Sequence, residues 1–213
     1  MKILGISGRK QSGKSTSAEF LVDEFSKRHL DVHIISFADR LKEIFLELFV
    51  PEELNLTSKM LSNDLHKLHL LPTTGGTVRE GLQQFGSNMC REYYGDVWVE
   101  AVRVKLRQLA MSNYIANIES PLRVIIPDVR FKNELKFIQE LDGHVVRLLR
   151  APFEDSHKSE QDLNDVELVT LQDCLCTDRE RLTKFNATID NRKMDIETKN
   201  KALWNLVKGN EWL

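Results

Sequence analysis

The sequence predicts an α/β fold: a three-layer α/β/α arrangement around a mainly parallel, roughly five-stranded sheet, with a helical insertion and a lid. Three observations predict it. Five short β-prone apolar runs alternate with segments whose apolar residues recur at helical spacing, the order that builds parallel sheets covered on both faces. The 10 glycines are sparse and clustered, with Gly5, Gly8 and Gly13 in one stretch and Gly75, Gly76, Gly81, Gly86 and Gly95 in another, which points to backbone freedom in two places. The chain has 213 residues, 41% of them hydrophobic, enough for one domain with a small insertion and a real core.

Each element follows from a local pattern. Residues 2–7 are a short apolar run. In 14–28, Ala18, Leu21, Val22 and Phe25 form one face and Glu19, Asp23, Glu24 and Lys27 the other, which makes an amphipathic helix. Residues 32–37 read as a second buried strand, and Leu41, Ile44, Phe45 and Leu48 set a helix over 39–50. Residues 51–77 are polar and punctuated by Pro51, Pro72, Gly75 and Gly76, so they read as a helical insertion with a mobile loop. Helices are expected near 78–93 and 97–112. The strongest strand signal, 122–126, ends at Pro127-Asp128; a helix over 131–141 and a strand at 144–149 complete a β-α-β unit. Residues 151–180 are polar and acidic without a period. A strand at 185–189 precedes a helix near 195–208. The predicted organisation is one domain over 1–213, with a core at 1–50 and 120–213, a helical region at 51–119 and a lid at about 150–165.

Charge and cysteine content narrow the function classes. With 30 Lys+Arg against 32 Asp+Glu, the net charge of −2 gives no general attraction to nucleic acid or anionic membrane, so stable nucleic-acid binding is not expected. The three cysteines, Cys90, Cys174 and Cys176, have neither the number nor the spacing of a disulfide scaffold or a zinc site and read as free thiols in a reducing cytosol. The apolar run at residues 1–7 is too short to read as a signal peptide, and no run approaches the roughly 18 apolar residues of a membrane span. A soluble cytoplasmic protein without a membrane partner is expected, and a homodimer stays open.

The chemistry begins at Gly8-Arg9-Lys10-Gln11-Ser12-Gly13-Lys14-Ser15, which fits G-x-x-x-x-G-K-[ST] and stands between a strand and an amphipathic helix. There the backbone N–H groups can point at phosphate oxygens, helped by the helix N-terminus. Lys14 would reach the β- and γ-phosphates of ATP, Ser15 would hold Mg²⁺, and Thr16 would add a phosphate donor. No Asn-Lys-x-Asp guanine reader occurs, and Asp128 is followed by Val129 rather than Glu, which argues against GTPases and AAA-type machines. A small-molecule kinase remains, and it needs a second phosphate site.

Candidates for that site follow the strands, because ligands in doubly wound sheets sit at the strands' carboxyl ends. Asp39 would face the crevice, with Lys42 nearby, and orient the acceptor or accept its proton; capping the next helix is its simpler role. Asp128 can hold Mg²⁺ or its water, and Arg130 can fork onto a phosphate. Arg79 and Arg91 lie on roughly one helical face if that helix persists, and Gln83 or Gln84 could read a base edge. Trp98 could stack on a base or pack in the core. Arg147 and Arg150 lie on and just after the strand 144–149; Arg150 opens the lid-like stretch and could neutralise charge on the transferring phosphoryl group. His157 reads as an exposed loop residue. Asn191 stands beyond the last strand, where it could border the adenine.

Taken together, Gly8–Ser15, Phe37-Ala38-Asp39-Arg40-Leu41-Lys42, Arg79-Glu80-Gly81-Leu82-Gln83-Gln84-Phe85-Gly86-Ser87, Asp128-Val129-Arg130-Phe131-Lys132-Asn133-Glu134 and Ile189-Asp190-Asn191 resemble the phage-type deoxynucleoside monophosphate kinases, P-loop enzymes of the adenylate-kinase-like class. The blocks run from residue 3 to about 206. The resemblance implies ATP at Gly8–Thr16 and a deoxynucleotide between the 79–98 helices and Arg130, its phosphate clamped by Arg79, Arg130 and Arg91. Arg40 and Lys132 stand where family members tend to have Pro, departures that touch turn geometry. Animal-type phosphomevalonate kinase has a similar layout. A P-loop ATPase switch and a nucleic-acid-binding ATPase are the alternatives from other classes.

Overall fold

A computed structural model describes residues 1–62, 65–72, 74–153, 162–164, 166 and 184–213. Cys174, Cys176, His157 and most of the expected lid lie outside the described residues. The chain forms two compact units: Met1–Ser36 with Arg107–Leu213, and Phe37–Leu106.

The first unit carries a five-stranded sheet. Its strands are β1 (Lys2–Gly8), β2 (His33–Ile34), β3 (Arg123–Val129), β4 (His144–Leu148) and β5 (Ala187–Ile189), in the order β2-β3-β1-β4-β5. Every neighbouring pair is parallel, so the fold is α/β with an all-parallel sheet. The expected strand at 32–37 shortens to two residues because it is an edge strand and leaves the sheet after Ile35, whose N–H still donates to the Ile125 carbonyl at 3.1 Å.

Both faces of the sheet are covered. Leu4 and Ile6 of β1 pack with Leu21 and Phe25 of α1 (Lys14–Ser26) and with Leu203 and Val207 of the C-terminal helix Ile196–Gly209. The other face meets the helix Lys132–Glu140, where a Cβ on Gly5 would lie 2.8 Å from Ile138 Cδ1 and 3.0 Å from methyls of Val129 and Val145. Gly5 therefore keeps the central strand slim. Pairing of β1 with β3 slips between Gly5 and Ser7. Pro127 sits at the slip; it has no N–H for the ladder, and a bulge there re-aims the residue that follows, Asp128.

The second unit is helical. It contains α2 (Asp39–Phe49), three single 3₁₀ turns at Glu52–Leu54, Met60–Ser62 and His66–Leu68, α3 (Val78–Gln83), and the start of α4 (Val97–Ile115). The later helices are α5 (Lys132–Glu140) and α6 (Ile196–Gly209). Thr77 opens α3 with a full capping box: its hydroxyl accepts from Glu80 N, and the Glu80 carboxylate accepts from Thr77 N at 2.7 Å. Phe45, Leu61, Leu71 and Val78 form this unit's own core.

Two sequence expectations change here. The helix expected over 78–93 is α-helical only to Gln83 and π-helical from Gln84 to Arg91, so the single-face relation between Arg79 and Arg91 does not carry over. The second glycine cluster mostly does not supply left-handed backbone. Gly75 alone of that group has a positive φ, whereas Gly81 and Gly86 stand where a Cβ would meet Phe45 Cζ at 2.5 Å and Leu41 Cδ2 at 2.6 Å. These two let α2 approach the π-helical stretch and α3. Among the described residues, no helix is long and apolar enough to cross a membrane.

Candidate active site

The loop between β1 and α1 is shaped by its glycines. Gly13 precedes α1 with φ +95°, a left-handed conformation that strains L side chains, and a Cβ on Gly8 would lie 2.5 Å from Ser12 Oγ. Lys14 folds over this loop. Its Nζ donates to the carbonyls of Gly8 at 2.6 Å and Arg9 at 2.7 Å and to Ser12 Oγ at 3.4 Å. Burial, then the charges of Arg130 and Arg147, push its ammonium from 10.5 down to about 7, against the pull of Asp128.

A wall of cations surrounds the loop. Arg130 and Arg147 act electrostatically on Lys14. Arg147 Nη1 donates to the hydroxyl of Ser7, its register partner on β1, at 2.8 Å, and the guanidinium lies 5.4 Å from the Phe185 ring centroid. Burial and the neighbouring charge of Arg9 bring Arg147 down to about 10. Arg9 reaches Asn164 Oδ1 at 3.3 Å, and Lys10 lies 5.9 Å from the Phe153 ring centroid. Among the described residues, Lys14, Arg147 and Lys199 have only neutral hydrogen-bond acceptors as partners. Buried and half-buried cations whose hydrogen bonds go to neutral oxygens suit a polyanionic ligand.

Asp128 and Arg130 stand at the end of β3. The Ser36 hydroxyl donates to Asp128 Oδ2 and so aims the half-buried carboxylate. Glu134, 1% exposed, accepts from Arg130 N at 2.7 Å and Phe131 N at 3.1 Å through one oxygen, Oε2. The last residue of the Asp-Val-Arg-Phe-Lys-Asn-Glu block thus fixes the backbone of its arginine. Ser15 and Thr16 are exposed on the first turn of α1. The hydroxyl of Ser15 and the carboxylate of Asp128 are hard oxygen donors of the kind Mg²⁺ takes alongside substrate phosphates and water. Among the described residues there is no cluster of three or more His, Cys, Asp or Glu side chains fit for a metal ion, and a site of this kind needs none.

Two C-terminal residues reach the loop. Asn191, 2% exposed, donates from Nδ2 to the Ser12 carbonyl at 2.8 Å and accepts at Oδ1 from Arg150 N at 2.8 Å. The sequence placed it beside the adenine; the structure occupies its amide with the loop itself. Lys199 of α6 donates to the Gly13 carbonyl at 3.0 Å and to Thr16 Oγ1 at 3.1 Å. Nothing in the sequence separated Lys199 from a solvated helix lysine. Arg147 was legible as a strand arginine without a role.

The remaining candidates belong to the second unit. Asp39 occupies the first turn of α2, where a carboxylate suits the helix dipole, and lies 3.9 Å from Lys42 Nζ. Arg79 and Gln83 are half-buried on α3. On the π-helical stretch Gln84 is exposed and accepts from Asn88 at 2.7 Å, and Arg91 donates to the Gly95 carbonyl at 3.4 Å. Trp98, 3% exposed, donates from Nε1 to the Gly86 carbonyl at 3.0 Å and packs edge-on against Phe85. Its ring is therefore core, which corrects the base-stacking role considered for it.

No family model matches the chain. A protein of Acanthamoeba polyphaga mimivirus, provisionally named a deoxynucleotide monophosphate kinase, is 30% identical over 177 residues, 78% of this chain and 84% of the relative. Among solved structures, shikimate kinase from Bacteroides thetaiotaomicron gives a TM-score of 0.43 at 15% identity, covering 97% of this chain and 98% of that one.

Proposed function

Since the chain belongs to the deoxynucleotide monophosphate kinase family, we propose that it transfers the γ-phosphoryl group of ATP to deoxynucleoside 5′-monophosphates (dNMP + ATP = dNDP + ADP), supplying DNA precursors. The observation that carries the reading is Lys14, buried in a glycine-shaped loop with other cations around it and only neutral hydrogen-bond acceptors as partners among the described residues.

In this reading the β- and γ-phosphates lie on the backbone N–H groups of residues 8–16. Lys14 leaves the loop carbonyls for phosphate oxygens, an exchange its flexible stem permits. A phosphate acceptor is ionised near neutral pH, so its oxygen attacks the γ-phosphorus without a strong general base, the bond to the β,γ-bridging oxygen breaks, and ADP departs. Lys14, Arg147 and Arg150 offset the charge that spreads over the transferring group. Arg130, its backbone set by Glu134, is assigned to the acceptor phosphate. In the second unit, Arg79, Gln83, Gln84, Arg91 and Lys42 keep their assignment to the acceptor, and Asp39 is a positioning group. Ser15 and Asp128 would hold Mg²⁺, which when bound shields phosphate charge.

The test is ADP production against a panel of dAMP, dGMP, dCMP, dTMP, hydroxymethyl-dCMP, the ribonucleotides and phosphomevalonate. Turnover should stay near background until a deoxynucleotide is added. Equal ADP release with no acceptor, or turnover with phosphomevalonate alone, overturns the proposal.

A further inference from the structure

We infer that Lys199 is a hidden member of the nucleotide site: bonded to the phosphate loop at Gly13 and Thr16, it frees the Thr16 hydroxyl to donate to a nucleotide phosphate. The inference rests on the reading above that residues 8–16 bind ATP.

The geometry is a triangle. Thr16 Oγ1 donates to the Gly13 carbonyl at 2.9 Å, and Lys199 Nζ donates both to that carbonyl at 3.0 Å and to Thr16 Oγ1 at 3.1 Å. The Gly13 carbonyl also accepts from Ser17 N at 3.1 Å. One carbonyl oxygen with two lone pairs is thus offered three donors. Of the three, the Thr16 proton is the one that can leave without orphaning a partner, because Ser17 N and Lys199 remain on the carbonyl. Lys199 also occupies a lone pair of Thr16 Oγ1. A hydroxyl that already accepts from a cation donates more strongly through its own proton, and Thr16 is exposed.

The lysine is otherwise costly to keep. It is 3% exposed and, among the described residues, bonds only to neutral oxygens. Burial and the like charge of Arg150 hold its ammonium below its ordinary range. A buried cation without a carboxylate destabilises a fold unless some other anion offsets it. The phosphates assigned to residues 8–16 would supply that anion. Gly13 is fitted to the arrangement as well: a Cβ there would stand 2.8 Å from Lys199 Nζ.

A structural tie and a nucleotide-directed cation differ in what the free protein shows. Lys199→Met and Lys199→Gln remove the charge while keeping most of the stem. The melting temperature of the nucleotide-free protein should be unchanged or higher in at least one of them. The rise in melting temperature produced by saturating ADP should shrink, and the ADP dissociation constant should increase about tenfold, with the KM of the monophosphate acceptor unchanged. Lys199→Arg should recover part of the loss. Thr16→Val combined with Lys199→Met should weaken ADP binding by clearly less than the product of the two single effects, because the lysine acts through that hydroxyl. Multiplicative effects, an unaltered ADP dissociation constant, or loss of folded protein in both neutral variants would overturn the inference. Failure of the wild-type chain itself to bind ADP would instead overturn the assignment of the loop to ATP.

Discussion

The side-chain amide of Asn191 closes onto the phosphate loop at Ser12, donating from Nδ2 to its carbonyl at 2.8 Å while Oδ1 accepts from Arg150 N. One buried amide therefore locks the loop to the strand end that carries Arg150. Asn191→Ala would leave a buried carbonyl and a part-buried N–H without their partner, at a cost of about 2–3 kcal/mol in denaturant unfolding. Asn191→Asp would set an oxygen against the Ser12 carbonyl and should be at least as destabilising as Ala. A milder Asp variant would show that amide polarity does not matter there.

Lys14 makes nucleotide binding sensitive to pH. In the nucleotide-free protein its ammonium titrates at about 7 rather than 10.5, and a phosphate partner should raise it again. ADP binding at pH 8 should therefore take up a proton, seen by calorimetry in buffers of different ionisation enthalpy, and Lys14→Met should lose that uptake. Stability has a definite sign. Between the folded and unfolded values the unfolded chain binds more protons, so Lys14's destabilising contribution is complete below about pH 7 and is relieved as pH rises toward 10.5. The stability of the wild type relative to Lys14→Met should thus improve from pH 6 to pH 9.

Glu134 is a positioning residue for Arg130. Glu134→Ala removes the acceptor for two backbone N–H groups and should cost about 2–3 kcal/mol. It should also raise the KM of the monophosphate more than that of ATP. Glu134→Gln keeps an oxygen in place and should restore most of both. An equal rise in both KM values would separate Glu134 from the acceptor.

Two glycines of the first cluster should fail in different ways. Gly13→Ala adds about 1–2 kcal/mol of left-handed strain and crowds Lys199 Nζ at 2.8 Å, so ADP affinity should fall sharply. Gly5→Ala pushes into Ile138, Val129 and Val145 inside the sheet, so stability should drop by about 1–3 kcal/mol with the KM for ATP little changed. The same loss of ADP affinity from both would contradict the division.

Much of this architecture was written in periodicity. The five apolar runs became the five strands, and the helices at 14–28, 39–50, 97–112, 131–141 and 195–208 appeared within a few residues of those bounds, because each buries one face against a sheet or a neighbouring helix. The phosphate loop was legible because its residues act on their neighbours in sequence. What stayed hidden depends on long-range contact. Asn191 and Lys199 look like an ordinary loop amide and an ordinary helix lysine until α6 packs on α1. The π-helical stretch at Gln84–Arg91 has no periodic signature. Gly81 and Gly86 looked like conformational freedom and are clearances for Phe45 and Leu41, since sequence alone cannot tell a missing side chain that allows a turn from one that allows an approach.

The contacts of Asn191 and Lys199 span 179 and 186 positions back to the loop. During synthesis, the phosphate-loop motif leaves the ribosome before α6, so the Ser12 and Gly13 carbonyls meet Asn191 and Lys199 only after those residues have emerged. A nascent chain stalled before residue 190 would carry the full motif and Lys14 but not Asn191 or Lys199. Its retention on an ADP resin should rise only once α6 is released.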